Sequence, residues 1–491
     1  MATERPGGTP LRSRAATWLL TAAILGSGVA FLDGSVVNVA LPAIGRDVGG
    51  DLSVLQWVLD AYLLTLSALL LLGGALGDRY GRRRVFTLGL IVFTAASLGC
   101  GLAPTAEALI VARLVQGVGG ALLVPGSLAL INSTIRHDDR GQAIGRWAGM
   151  TGVATAIGPF LGGWLVDAVS WRWVFFINLP IALAALLALR RVTETRNPDL
   201  GGAPDLLGAA AITAGLAGSV YALIELPSSG WTAITTMALV VGLGGLVAFP
   251  VVESRVRAPL LPLVLFRSAQ FTGANLTTLT VYSALGGALF LLTLQLQQSL
   301  GYSALEAGVA TLPITAMMLL LSGRIGALAQ RIGARAPMTV GPIVCGAGLA
   351  LLTRAVPGST YLGGVLPGVV VFGLGLSITV APLTAAVLGA VDEHHAGVAS
   401  GVNNALSRMA GLIAIAVLPL LAGLSGTEAG AALGAGFARA MLISAGVCAA
   451  GGVLAFLTVR ESARAEPTAL PALNHGCGDP HLLDRRRPRP T

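Results

Sequence analysis

Apolar stretches of about twenty residues, separated by short polar turns, succeed one another along most of the chain. A helix of about 20 apolar residues crosses the hydrocarbon core of a bilayer. On that rule the pattern predicts fourteen spans, at roughly 17–40, 53–76, 85–103, 106–132, 141–166, 173–190, 206–226, 231–252, 271–297, 303–322, 338–354, 361–388, 396–424 and 437–459. An even number of spans puts both termini on one side. The expected fold class is an all-α integral membrane protein.

One turn occurs twice. Residues 74–85 read GALGDRYGRRRV and residues 326–337 read GALAQRIGARAP. Each copy lies between two spans, and the copies are about half the chain apart. The duplication predicts two six-helix bundles, spans 1–6 and 9–14, with spans 7 and 8 as an extra pair between them. The domain plan is an N-terminal tail (1–16), a first bundle (17–190), a linker carrying the extra pair (191–270), a second bundle (271–460) and a disordered tail (461–491). Two membrane bundles built by duplication are the usual plan of secondary transporters.

Composition supports the membrane assignment. The chain of 491 residues is 54% hydrophobic and 11% charged, with mean hydropathy +0.80, whereas a soluble protein carries roughly 25% charged residues. Its 66 glycines suit membrane helices, which associate through small residues. Charge placement gives the orientation. There is no lysine, and 25 of the 31 basic residues fall in the even-numbered turns and the two tails. Basic residues collect on the cytoplasmic side, so both termini are expected there. The net charge of +8 therefore reflects topology and not nucleic-acid binding. The apolar run behind Arg5, Arg12 and Arg14 is too long for a signal peptide and contains Asp33, so it reads as span 1. Cys100, Cys345, Cys448 and Cys477 are far apart and show no disulfide or metal spacing. The tail ending RRRPRP reads as a solvated segment that touches anionic lipid.

Charged groups inside spans are costly and mark function. Asp33, Asp60 and Arg113 each lie about seven residues from the outer end of their spans, a common depth of about 10 Å at 1.5 Å per residue. At that depth they can share one polar cluster. An Asp facing an Arg stays ionised, and protonating it releases the Arg. Gln116 lies one turn from Arg113 and can orient it. In the repeated turn, Gly74 and Gly77 can bring span 2 close to a neighbour, and Gly81 suits the reversal. Asp78 can cap a helix or pair with an arginine. Gly74, Asp78, Arg79, Gly81, Arg82 and, in the second copy, Arg331 are the expected gate, whereas Arg83 and Arg84 read as anchors. The second copy has Gln330 in place of Asp78 and Ala334 in place of Arg82, so the first is expected to be the stronger latch. Gly158, Pro159, Gly162 and Gly163 form a bendable, closely packing section of span 5. Asn38, Gln116, Gln295, Asn404 and Arg408 are candidates for a substrate cavity. Glu225 reads as interfacial, and Trp171 and Trp173 as an aromatic belt. His394 and His395 with Asp392 and Glu393 read as a solvated turn.

These stretches resemble the major facilitator superfamily, and the likeness covers about 15–460. GALGDRYGRRR is similar to that family's cytoplasmic loop motif. LIVARLVQGVGGA (109–121) resembles its span 4 motif with a buried Arg, and IGPFLGG (157–163) its antiporter motif in span 5. FLDGSVVNVALP (31–42) and WRWVFFINLP (171–180) resemble the fourteen-span drug:proton antiporters. Ala154 departs from the span 5 motif, which has another Gly there. The resemblance implies a proton-linked acid in span 1, a buried Arg in span 4, and a span 5 that seals the path.

Lysine is absent, so the ATP-binding pattern GxxxxGK[ST] cannot occur, and no enzyme constellation is present. Energy is expected from a proton gradient, with no cofactor. The expectation is a plasma-membrane monomer that exports hydrophobic or amphipathic drugs, antibiotics or secondary metabolites, cations included, in exchange for protons. The alternatives are an importer or facilitator of a nutrient, siderophore or anion on the same fold, and a non-transporting membrane sensor.

Overall fold

The structure is a computed structural model that describes residues 8–196, 204–256, 259–392, 396–424 and 433–459. Expectations about Arg5, Arg257, Glu393, His394, His395, Cys477 and the tail fall outside these residues. Fourteen helices occupy the predicted spans. The first bundle comprises α1 (Arg14–Val48), α2 (Leu52–Tyr80), α3 (Arg82–Leu102), α4 (Ala106–Thr134), α5 (His137–Ala168) and α6 (Trp173–Leu189). The extra pair is α7 (Leu206–Ser229) and α8 (Ala233–Glu253). The second bundle comprises α9 (Ala269–Ser299), α10 (Ala304–Ile332), α11 (Arg335–Arg354), α12 (Tyr361–Leu388), α13 (Ala396–Ala422) and α14 (Gly434–Thr458). Thirteen are long and apolar enough to cross a membrane, and α6 is the shorter apolar one.

Local chemistry sets the ends. Asp51 caps α2 by accepting from the N–H groups of Ser53 and Val54, and Thr105 caps α4. Ser303 and Glu306 form a capping box at α10. The repeated turns share a backbone device: Gly81 has φ 112° and Gly333 has φ 88°, a region that L side chains avoid. In α6 the turn Trp173–Phe176 breaks before Asn178–Leu189. Pro180 has no N–H for the Phe176 carbonyl, which accounts for the break.

In the first bundle α4 packs between α2 and α3, and α1 lies against α5, α4 and α6. Glycines permit the close α4 contacts: a side chain at Gly117 would strike Thr65 and Tyr62 of α2, and one at Gly119 would strike Phe93 of α3. The second bundle repeats the plan, with α12 between α10 and α11. Helix α7 packs on α8 and along both α2 and α13, so the extra pair lies over a seam between the bundles. The N-terminal segment is docked: Thr9 pairs with the Thr134–Arg136 backbone, and the Leu11 N–H donates to Asp139. Only part of the expected tail is thus tail, and α1 begins at Arg14.

The bundles meet at one end. Asp167 of α5 accepts from the N–H groups of Ala304 (3.2 Å) and Leu305 (2.8 Å), the first residues of α10. Gln56 donates to the Ile415 carbonyl, and Gln297 to that of Val39. All three contacts lie away from the arginine-rich turns. Towards those turns α5 and α10 part. Gly141, Gly145, Gly149 and Gly152 lie on one stripe of α5 with nothing nearby, and the same stripe meets α10 further along at Pro159 and Gly163. The α5–α10 seam is therefore closed at the far end and parted towards the arginine-rich end, while α2 and α13 stay in contact as far as Leu71 and Gly401.

Candidate functional site

Four helices of the first bundle bring a closed polar cluster together. Asp33 of α1 and Arg113 of α4 are both fully buried and paired at 2.5 Å through Nη1 and Oδ2. Gln116 accepts from the same Nη1 (2.7 Å) and donates to Asp33 Oδ1 (2.8 Å). Asn178 of α6 donates to Asp33 Oδ1 (3.0 Å) and to Ser97 Oγ of α3 (2.9 Å). Ser97 in turn donates to the Phe175 carbonyl. Arg113 Nε donates to the Val58 carbonyl (3.0 Å), and the guanidinium lies 4.4 Å from the centre of the Tyr62 ring. The Tyr62 hydroxyl donates to the Ala30 carbonyl, tying α2 to α1.

The chemistry of this arrangement is a buried charge pair inside a neutral hydrogen-bonding shell. A buried ion pair is tolerated when additional bonds satisfy both partners. Here the carboxylate accepts three side-chain bonds, while Arg113 Nη2 and Asn178 Oδ1 are left without partners. A proton delivered to Asp33 would remove the charge that holds Arg113 to α1, and four helices would lose their common anchor.

Asp60 does not join the cluster. It is fully buried, and neither carboxylate oxygen has a hydrogen-bond partner among the described residues. Depth placed it correctly, but its azimuth differs: Asp60 shares a face of α2 with Gln56, which reaches across to α13. Ser97 and Asn178 are the members that sequence reasoning missed. Asn178 stands within the WRWVFFINLP stretch, where a lone amide in an apolar run was the available signal.

The other candidates separate. A side chain at Gly158 would strike Ser35 and one at Gly162 would strike Val36, both of α1; one at Gly163 would strike Ala304 and Leu305. Reciprocally, one at Gly308 would strike the Pro159 carbonyl. The Gly-Pro section thus lies where α5 is held between α1 and the second bundle. In the repeated turn Asp78 pairs with Arg82 of the same turn at 2.7 Å. Glu194, after α6, accepts from the N–H groups of Arg83 and Arg84 and caps α3. These bonds stay within the first bundle. The close helix approach belongs to Gly73, whose missing side chain makes room for the Ala121 carbonyl; Gly74 and Gly77 have ordinary spacing. Arg79 lies over the Tyr80 ring, the Arg331 side chain forms no hydrogen bond or ion pair among the described residues, and the second turn is tied instead by Arg335 Nε to the Phe456 carbonyl.

Gln295 is buried within the second bundle and donates to the Ala355 carbonyl, away from the central space. Asn38, on the less buried stripe of α1 with Phe31 and Gly34, has an unpartnered Oδ1. Across from that stripe, Arg408 Nε lies 3.4 Å from Asn404 Oδ1 and its guanidinium 5.1 Å from the centre of the Phe31 ring. Glu225 accepts from Trp57 Nε1 and is tied to α2. Trp173 is exposed, as a belt residue would be, but Trp171 is buried and donates to Asp47, which also accepts from Arg172.

Residues 23–415 match the family model described as Major Facilitator Superfamily. The puromycin resistance protein of Streptomyces alboniger is 37% identical over 405 residues, covering 82% of this chain and 80% of its own length. The tetracenomycin C resistance and export protein of Streptomyces glaucescens is 35% identical over 414 residues, covering 84% and 76%. Among solved structures, an auto-inhibited POT family peptide transporter superposes with TM-score 0.69 at 15% identity, covering 93% of this chain and 99% of that one.

Proposed function

Since the chain belongs to the Major Facilitator Superfamily, we propose that it exports hydrophobic or amphipathic antibiotics, drugs or secondary metabolites in exchange for protons. It is a multi-pass membrane protein and a transporter rather than an enzyme. The observation that carries the proposal is the buried Asp33–Arg113 pair. It is a titratable switch wired to four helices, set beside the space between the bundles. The names of the relatives, resistance and export proteins, supply the direction and the cargo class.

In the proposed cycle the arginine-rich end faces the cytoplasm, following the positive-inside rule, with both termini on that side. The described state then has its α5–α10 seam parted towards the cytoplasm and is sealed outside by Asp167, Gln56, Gln297 and the Gly-Pro section of α5. Substrate enters from the cytoplasm or inner leaflet, the bundles rock, and a proton from outside neutralises Asp33. Release of Arg113 loosens α4 from α1 and favours return. The Asp78–Arg82 and Glu194 contacts stiffen the α2–α3 turn so that the bundle moves as one body.

The test uses energised inverted vesicles carrying a preset proton gradient. At least one of puromycin and tetracenomycin C, added separately, is expected to dissipate the gradient with wild-type protein, and neither with Asp33→Asn. Gradients unmoved by either compound, in vesicles whose protein also gives cells no tolerance, would reject antiport of this cargo.

A further inference from the structure

We propose that Arg408 is the substrate-recognising cation of the central cavity, and that the preferred cargo is an aromatic compound bearing an acidic group. The inference rests on the export reading above and narrows its substrate class. Arg408 sits within α13, half-buried, on the face turned towards α1. Among the described residues it has no carboxylate partner: the ion pairs are Arg82–Asp78, Arg84–Glu194, Arg113–Asp33, His137–Asp138 and Arg172–Asp47. Its partners are neutral, the Asn404 amide oxygen and the Phe31 ring.

The two buried acids nearest in depth do not compensate it. Asp33 is committed to Arg113, Gln116 and Asn178. Asp60 has no hydrogen-bond partner on either carboxylate oxygen among the described residues, and none of the ion pairs includes it. An uncompensated guanidinium inside a membrane protein is expensive and is retained where it meets a charge or a substrate. Its planar fork matches a carboxylate through two parallel bonds. Phe31 from the opposite bundle supplies an aromatic face beside that fork, and Gly34 leaves open space one turn along α1. A cationic cargo would meet repulsion here; an aromatic acid would meet a counter-charge, a ring and room.

Fluorescein and rhodamine 123 share a xanthene ring system and carry opposite charge near neutral pH, so they form the probe pair. Inverted vesicles are energised, filtered and lysed at fixed pH, and dye is quantified. Wild type is expected to accumulate fluorescein at least about 10-fold faster than Arg408→Gln, the size of one charge-assisted hydrogen bond. Arg408→Lys should keep a substantial part of that uptake, because it keeps the charge. Rhodamine 123 uptake, where present, should be unchanged or raised by Arg408→Gln. The proposal is overturned if wild type takes rhodamine 123 and refuses fluorescein, if Arg408→Gln leaves fluorescein uptake intact, or if it lowers both dyes equally, as a purely structural or coupling role would. Failure of both dyes also overturns it. Tolerance of cells to puromycin and tetracenomycin C, measured in parallel, then shows whether the export reading survives.

Discussion

Replacing Asp33 by Asn keeps the shape of the side chain and removes the charge opposite Arg113. The native carboxylate accepts from Arg113 Nη1 at 2.5 Å, Gln116 at 2.8 Å and Asn178 at 3.0 Å, in a site with no exposed surface. Removing one partner of a buried ion pair costs about 3–5 kcal/mol, because the other charge is left uncompensated. The Tyr62 ring 4.4 Å from the guanidinium offsets about 0.5–2 kcal/mol of that. The net loss is about 1–4.5 kcal/mol, or about 5- to 2,000-fold in the folded-to-unfolded ratio. Arg113→Gln alone should lose stability too, by stranding the carboxylate. The double variant Asp33→Asn/Arg113→Gln should recover most of it, since only neutral groups then remain to be satisfied. Unfolding in mixed micelles by denaturing detergent gives the four free energies of the cycle. A coupling energy of at least about 2 kcal/mol is expected. An Asp33→Asn protein within about 0.5 kcal/mol of wild type, or additive single effects, would refute the argument that this pair is the energetic anchor.

Asp167→Ala should shift the bundles towards opening at the far end by about 1 kcal/mol, because two bonds are lost but the carboxylate is solvent-exposed. Fluorophores on the far ends of α5 and α10 would show about a five-fold rise in the separated population, and high salt should shrink the difference. Gly163→Leu places a branched side chain against Ala304 and Leu305; the protein should still insert, but transport should fall at least about 10-fold because closure at the α5–α10 seam costs about 1–3 kcal/mol more. Asp60→Asn should change stability by less than about 1 kcal/mol, since the carboxylate has no partner to lose; a loss above about 3 kcal/mol in the same micelle assay would reveal a partner.

The helices were readable because twenty-residue apolar runs and turn glycines are local signals, and the two-bundle plan was readable because the turn at 74–85 recurs at 326–337. The Asp33–Arg113 encounter was readable from depth, since both lie at one level on helices of one bundle. Depth carries no azimuth, which is why Asp60 shared the level of the cluster and not its bonds. Neutral polar residues are harder still. Ser97 and Asn178 cost little in an apolar run, and nothing in spacing distinguishes a helix-packing amide from one aimed at a carboxylate. Asp167 was invisible for a further reason: it caps a helix 137 residues away, and that contact exists only once both bundles are assembled. The same holds for Gly73, whose close approach to α4 depends on how α2 is rotated.

Substrate counterflow in proteoliposomes separates binding and rocking from proton coupling, and so addresses most directly the claim that Asp33 and Arg113 form the coupling switch. With substrate on both sides and no gradient, exchange needs no net proton movement. Asp33→Asn is expected to retain counterflow within a few-fold of wild type and to lose accumulation driven by an imposed pH gradient. Gradient-driven accumulation by Asp33→Asn at the wild-type level would contradict the account.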